Sequence, residues 1–92
     1  MSLRRVRAIV RGRVQHVGFR AWAWQNAERF NLTGTVENLN DGSVEIIFQG
    51  QENDVNEMKA KLKKGSPLSS VQQVIFYSEN VIENESNFAP IY

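Results

Sequence analysis

The residues most able to do chemistry sit in one run, Gly12-Arg13-Val14-Gln15-His16-Val17-Gly18-Phe19-Arg20. An alternating apolar stretch leads into it and a helical pattern follows, so residues 12–19 read as a strand-to-helix connection with an arginine at the helix start. Amide N–H groups of such a loop, beside the free N–H groups of a helix N-terminus, form a concavity that attracts anions. Arg20 adds a planar guanidinium with five donors that stays charged at any ordinary pH. Together they predict a seat for a phosphate or carboxylate, built from Gln15, His16, Val17, Gly18, Phe19 and Arg20, mainly through their backbone. Asn38 is the second candidate, because it is expected mid-strand, where asparagine is disfavoured. Its amide donates and accepts at once and can orient a water molecule, but it has no useful pKa and cannot be a general base. Position alone allows two readings of Asn38: service to the following turn or, if its strand adjoins the first, reach toward the loop.

The elements that must position these groups follow from periodicity. Val6, Ala8 and Val10 alternate with Arg5, Arg7, Ile9 and Arg11, the period of a half-buried strand whose outer face carries arginines. From about Arg20 to Phe30 the pattern is helical, with Phe19, Ala23, Ala27 and Phe30 on one face and Asn31 as the residue that ends it. Residues 34–39 and 43–49 read as two strands around a tight turn at Asn40-Asp41-Gly42. Val44, Ile46 and Phe48 mark the inner face of the second. A second helix spans about Glu52 to Lys64, with Val55, Met58 and Leu62 inward. Its acids come early and its lysines late, as the helix dipole favours, and Gly65 then Pro67 terminate it. Residues 71–78 form a further strand, in which the Val71-to-Val74 offset predicts a bulge.

Composition narrows the possibilities. Ninety-two residues make one domain, 1–92, with a single core. Cysteine is absent, which excludes disulfides, thiol nucleophiles and cysteine-held metals, and the single histidine argues against a histidine-based metal site. No N-terminal apolar signal region and no bilayer-length segment is present, so a cytoplasmic protein is expected. Net charge is only +1, yet Arg4, Arg5, Arg7, Arg11, Arg13 and Arg20 all precede the first acid, Glu28. That concentration suits a small anionic ligand or a nucleic-acid backbone.

The nine-residue run resembles the acylphosphatase signature, Gly-x-Val-Gln-Gly-Val-x-Phe-Arg. A second block resembles the family's other signature: Gly34-Thr35-Val36-Glu37-Asn38, then Asp41-Gly42-Ser43-Val44, then Gly50. The resemblance covers about Val6 to Phe76 and adds a short last edge strand near Phe88 to Tyr92, where Pro90 requires an unpaired edge. The order β-α-β-β-α-β plus that strand implies an α+β fold. It is the ferredoxin-like, split βαβ, two-layer sandwich: an antiparallel sheet of four to five strands with two helices on one face. The resemblance implies hydrolysis of the carboxyl–phosphate bond of an acyl phosphate, with Arg20 and loop amides on the phosphoryl group and Asn38 positioning the attacking water. No cofactor and no metal are expected. Most members carry glycine where this chain has His16, so the loop asks a histidine for a backbone angle glycine reaches more easily. His16 is read as a rim residue. Thr35 stands where a larger aromatic is usual.

A nucleic-acid module is the main rival, since the same sandwich hosts RNA recognition. Such modules stack bases on aromatics of the open sheet face, and the expected outward positions are Arg5, Arg7, Ile9, Arg11, Glu37, Glu45 and Ile47. A silent acyl-phosphate-sensing domain is the second rival. The expected partner is therefore a small acyl phosphate, with no nucleic acid and no membrane, bound by a monomer.

Overall fold

A computed structural model describes residues 2–91. The chain runs β1 (Leu3–Arg13), α1 (Phe19–Arg29), β2 (Thr33–Asn38), β3 (Val44–Gln51), α2 (Glu52–Lys64), β4 (Ser70–Glu79) and β5 (Phe88–Ile91). The strands form one sheet in the order β4-β1-β3-β2-β5. β1 lies antiparallel between β3 and β4, and β2 is antiparallel to β3. These four strands and two helices are the expected ferredoxin-like arrangement. The fifth strand departs from an all-antiparallel sheet: β5 runs parallel to β2, because the tail must cross the sheet before it reaches that edge. Pro90 sits on this edge strand, where a missing N–H interrupts no ladder on its outer side. Tyr92, expected in the same strand, lies outside the described residues.

The period-two pattern does what it predicts on the inner face. Val6, Ala8, Val10, Val36, Val44, Ile46 and Phe48 are buried against Phe19, Ala23 and Ala27 of α1 and Val55, Met58 and Leu62 of α2, forming one apolar cluster. α1 packs over β2, β5 and β3, and α2 over β1, β3 and β4. α1 ends in a pair of closing bonds, Leu32 N–H to Ala27 O at 2.8 Å and Asn31 N–H to Glu28 O at 3.0 Å. Asn31 takes the left-handed φ of 58° that this closure needs. The expected bulge falls between Arg11 and Gly12, which pair with Gln73 and Val71, so Gln72 is the extra residue on β4. Lys59 and Lys63 of α2 lie over the Phe76 ring at 5.4 and 5.8 Å, shielding a half-buried aromatic rather than forming a bare patch.

The outer face differs more from expectation. Arg5 faces outward as its register demands, yet it is only 8% exposed. Its Nη1 donates to Glu85 Oε1 at 2.9 Å and to Gln49 Oε1 at 3.3 Å, while Thr33 Oγ1 donates to the same Glu85 oxygen at 2.6 Å. Gln49 also exchanges two bonds with the Ile82 backbone, each 2.8 Å. The segment after β4 is thus strapped across β1, β3 and β2. Tyr77 of β4 shares the outer face with Arg7, whose guanidinium carbon lies 4.3 Å from the ring centroid. Thr35 is half-buried on this face beside Ile47 and Ala89, away from the core, so its small side chain loosens no core packing.

The strap carries a pH dependence. Burial alone would push the Glu85 carboxyl up. The hydrogen bonds from Arg5 and Thr33, with the Arg5 charge, outweigh that and hold it below the ordinary glutamate range. A depressed native pKa stabilises the fold fully above the unfolded glutamate pKa of about 4.3, and the contribution is lost as pH falls through the lower native value. Thermal melts of Glu85→Gln are therefore expected to show a shallower decline of Tm on the acid side than wild type. Superimposable acid limbs would mean that Glu85 ionises alike in both states.

Candidate active site

The loop that joins β1 to α1 is shaped by alternating backbone hands. Val14 is 1% exposed and anchors the loop to the core. His16 then takes φ 63° and Gly18 φ 76°, with Val17 at negative φ between them. Left-handed residues set among right-handed ones turn successive N–H groups toward one side, the backbone pattern of an anion nest. A Cβ on Gly18 would meet nothing within 4 Å, so glycine is required there by the backbone angle and not by crowding. His16 meets the same demand without glycine's freedom, at a cost of about 1 kcal/mol. Its side chain is exposed at the rim.

α1 continues the nest. It begins at Phe19, the first residue of its apolar stripe and one before the expected start at about Arg20, with Gly18 at the cap position. No side chain caps it and its first turn holds no acid, while the Trp22 N–H returns to Gly18 O at 3.1 Å. The N–H groups ahead of Trp22 therefore have no intrahelical acceptor, and no acid of the first turn offsets the positive end of the helix dipole. A cavity of about 210 Å³ opens here, lined by Val14, His16, Gly18, Phe19, Arg20, Ala21 and Asn38. It is smaller than the roughly 300–1,000 Å³ of sites for drug-sized ligands and suits the head of a small anion. Arg20 forms its half-buried wall. Val17 packs against the core.

Asn38 reaches this cavity by a route the sequence does not suggest. It is the last residue of β2 rather than mid-strand, and β2 does not adjoin β1. Asn38 pairs with Val44, and Val44 with Val10, so β3 stands between the two halves of the site. Because β3 starts only at Val44, the loop folds past its end toward Asn38. The Gln15 side chain marks the crossing: its Nε2 donates to Leu39 O at 2.7 Å and Ser43 O at 2.8 Å. Both carbonyls belong to the β2–β3 hairpin, where the Leu39 N–H also donates to Ser43 O at 2.9 Å. From the sequence Gln15 is expected to act mainly through its backbone, and nothing local betrays a side-chain bond to residues so distant.

The hairpin is stiffened on its solvent side. Asp41 Oδ1 accepts from the Ser43 N–H at 2.9 Å and from the Ser43 hydroxyl, and Asp41 Oδ2 lies 3.1 Å from Arg11 Nη1. The Ser43 bonds, with Arg11, hold the Asp41 carboxyl below its ordinary range. Inside, the situation is reversed. Asn38 Oδ1 is buried and has no hydrogen-bond partner among the described residues. An unsatisfied buried acceptor is costly, about 1–3 kcal/mol, and one on a residue that lines an anion seat calls for a ligand or water.

A larger groove, about 530 Å³, runs between α2 and the end of β4. Its cations are engaged, Arg4 with Glu52 at 3.2 Å and Lys59 on Phe76, so size alone does not make it the reactive site. Among the described residues no group of three or more His, Asp or Glu is placed to hold a metal ion.

The acylphosphatase family model matches residues 6–90. The acylphosphatase of Caldivirga maquilingensis is 43% identical over 89 residues, covering 96% of this chain and 94% of that one. The acylphosphatase of Bacillus subtilis is 38% identical over 86 residues, 94% of each chain. A crystal structure of acylphosphatase from Bacillus subtilis superimposes with a TM-score of 0.92 at 37% identity, covering 99% of this chain and 100% of that one. The match runs from the first strand into the last, through both the anion loop and the strand end that faces it, and the chain belongs to the acylphosphatase family.

Proposed function

We propose that this chain hydrolyses the carboxyl–phosphate anhydride of small acyl phosphates by direct attack of water on phosphorus. The observation that supports the mechanism is the orphaned, buried Oδ1 of Asn38, a residue that lines the same cavity as His16, Gly18, Phe19 and Arg20. Arg20 and the loop amides bind the phosphoryl oxygens, and Asn38 accepts a hydrogen bond from water and aims its lone pair at phosphorus. As the water oxygen bonds to phosphorus, the P–O bond to the bridging oxygen breaks and its electron pair leaves on the carboxylate. One water proton ends on a phosphoryl oxygen, giving carboxylate and dihydrogen phosphate. A carboxylate is a good leaving group, so positioning and charge stabilisation on the equatorial oxygens suffice.

In this reading the protein works as a single-domain monomer in the cytoplasm, without cofactor, membrane or nucleic acid. No helix among the described residues is long and apolar enough to cross a membrane. A base-stacking role on the sheet is disfavoured, because the ring of Tyr77 is already covered by Arg7 and Arg7 lies 3.6 Å from Glu45.

The test is hydrolysis of benzoyl phosphate by wild type with a chelator present, followed across pH. Turnover is expected to survive the chelator and to show a broad plateau through neutrality, since the mechanism uses a guanidinium and a carboxamide and no general base. A bell centred near the histidine value of about 6.5 would assign the proton transfer to His16. Absence of turnover by folded protein would leave a binding role, with phosphate titration as the next measurement.

A further inference from the structure

We infer, building on the reading above, that the side chain of Gln15 is a positioning residue for Asn38, through its two bonds to the β2–β3 hairpin. The site is assembled from two parts that share no strand pairing: the loop with the start of α1, and the end of β2. The two hairpin carbonyls that Gln15 grips are those of Leu39, the residue directly after Asn38, and of Ser43, the residue that closes the turn. Both partners are acceptors, so the bridge needs a group that donates twice from one atom. The Gln15 Nε2 supplies that, and few side chains do. Asparagine is a methylene short. Glutamate has no donor when ionised, and its oxygens would repel the carbonyls; protonated, it regains one donor. Methionine keeps the length and loses both bonds.

The bridge sets how far the water held by Asn38 lies from the phosphoryl group held by the loop. Misplacement of a reacting group by about 1 Å costs on the order of 10²-fold in rate. Gln15→Met is therefore expected to lower kcat for benzoyl phosphate about 10²-fold, while inhibition by inorganic phosphate stays near its wild-type value, because the loop amides and Arg20 are untouched. Added to Asn38→Ala, the same change is expected to lose less than about twofold more. Gln15→Glu is expected to gain activity as pH falls toward the glutamate range, over a span where wild type is flat. Parallel loss of phosphate affinity and kcat, or fully additive losses in the double variant, would make Gln15 a general support of the loop and overturn the inference.

A readout independent of turnover separates this claim from the proposed reaction. The side-chain amide resonances of Asn38, followed by NMR as inorganic phosphate is added, are expected to shift in wild type and to move to solvent-like positions in Gln15→Met. If wild type does not hydrolyse acyl phosphates but these resonances still depend on Gln15, the reaction falls and the positioning stands. If they are the same in both proteins, the positioning falls whatever the activity.

Discussion

Arg20→Ala is expected to lower kcat/KM for benzoyl phosphate by at least about 10³-fold and to abolish competitive inhibition by phosphate. Asn38→Ala is expected to lower kcat by about 10²–10³-fold with phosphate inhibition nearly intact. The contrast follows from what each group touches. In the proposed mechanism the guanidinium of Arg20 meets the phosphoryl oxygens in the bound substrate and in the transition state, so its loss removes binding and rate together. In the same mechanism Asn38 meets the water, which matters only as the new bond forms. Its contribution therefore sits in kcat. Arg20→Lys keeps the charge but loses the planar fork, so partial recovery of binding with little recovery of rate is expected. Steady-state kinetics with phosphate as inhibitor reads all three variants. An Arg20→Ala protein within about tenfold of wild type would remove the loop from the chemistry, since a single aimed donor is worth more than that.

The largest effect on stability is expected far from the loop, at Gly34. Its φ is 140°, and a Cβ there would run into the backbone carbonyl of Ile47 and the Cα of Phe48 on the neighbouring strand. Backbone atoms have no alternative rotamer, and Gly34 is also held from the other side by β5 through its pairing with Phe88 and the bond from its N–H to Asn87 O at 3.0 Å. Gly34→Ala is expected to cost about 4 kcal/mol, from the strained angle and the overlap together. That is a large part of the roughly 5–15 kcal/mol available to a domain of this kind. Urea unfolding monitored by circular dichroism measures it. Gly18→Ala is the control, with positive φ but open space around the added carbon, so about 1–2 kcal/mol is expected. Equal midpoints for Gly34→Ala and wild type would refute the described register of β2 on β3.

How legible the molecule was in its sequence depended on distance along the chain. α2 could be read at both ends, because its stripe, its early acids, its late lysines and Gly65 all act within a few residues of one another. The bulge at Gln72 showed in the same way, as a local break in alternation. The loop was legible through its glycines and the arginine beside them. Adjacency was legible only through the fold as a whole, since the split βαβ sandwich sets β3 between β1 and β2. Strand order is decided by how the two βαβ halves interleave, and no residue of β2 announces that β3 will separate it from β1. Arg5 shows the same limit: as one of six early arginines it looks solvated, and only Glu85, Gln49 and Thr33, distant in sequence, bury it. The direction of β5 and the bonds of Gln15 were hidden for that reason too. Position alone left Asn38 open between the turn and the site, and the resemblance chose between them; it lies at the strand end and lines the cavity.

The parallel pairing of β5 with β2 also matters for the order in which a ribosome delivers the chain. β2 is synthesised early, yet one of its two edges stays bare until residues 88–91 emerge. The acceptor for the buried Arg5 guanidinium, Glu85, arrives almost as late. A nascent chain therefore carries an open edge on β2, and Arg5 without its Glu85 acceptor, until residues 85–91 have emerged. Glu85 and the apolar strand Phe88–Ile91, set in a largely polar stretch, act as the clasp that ends that exposure.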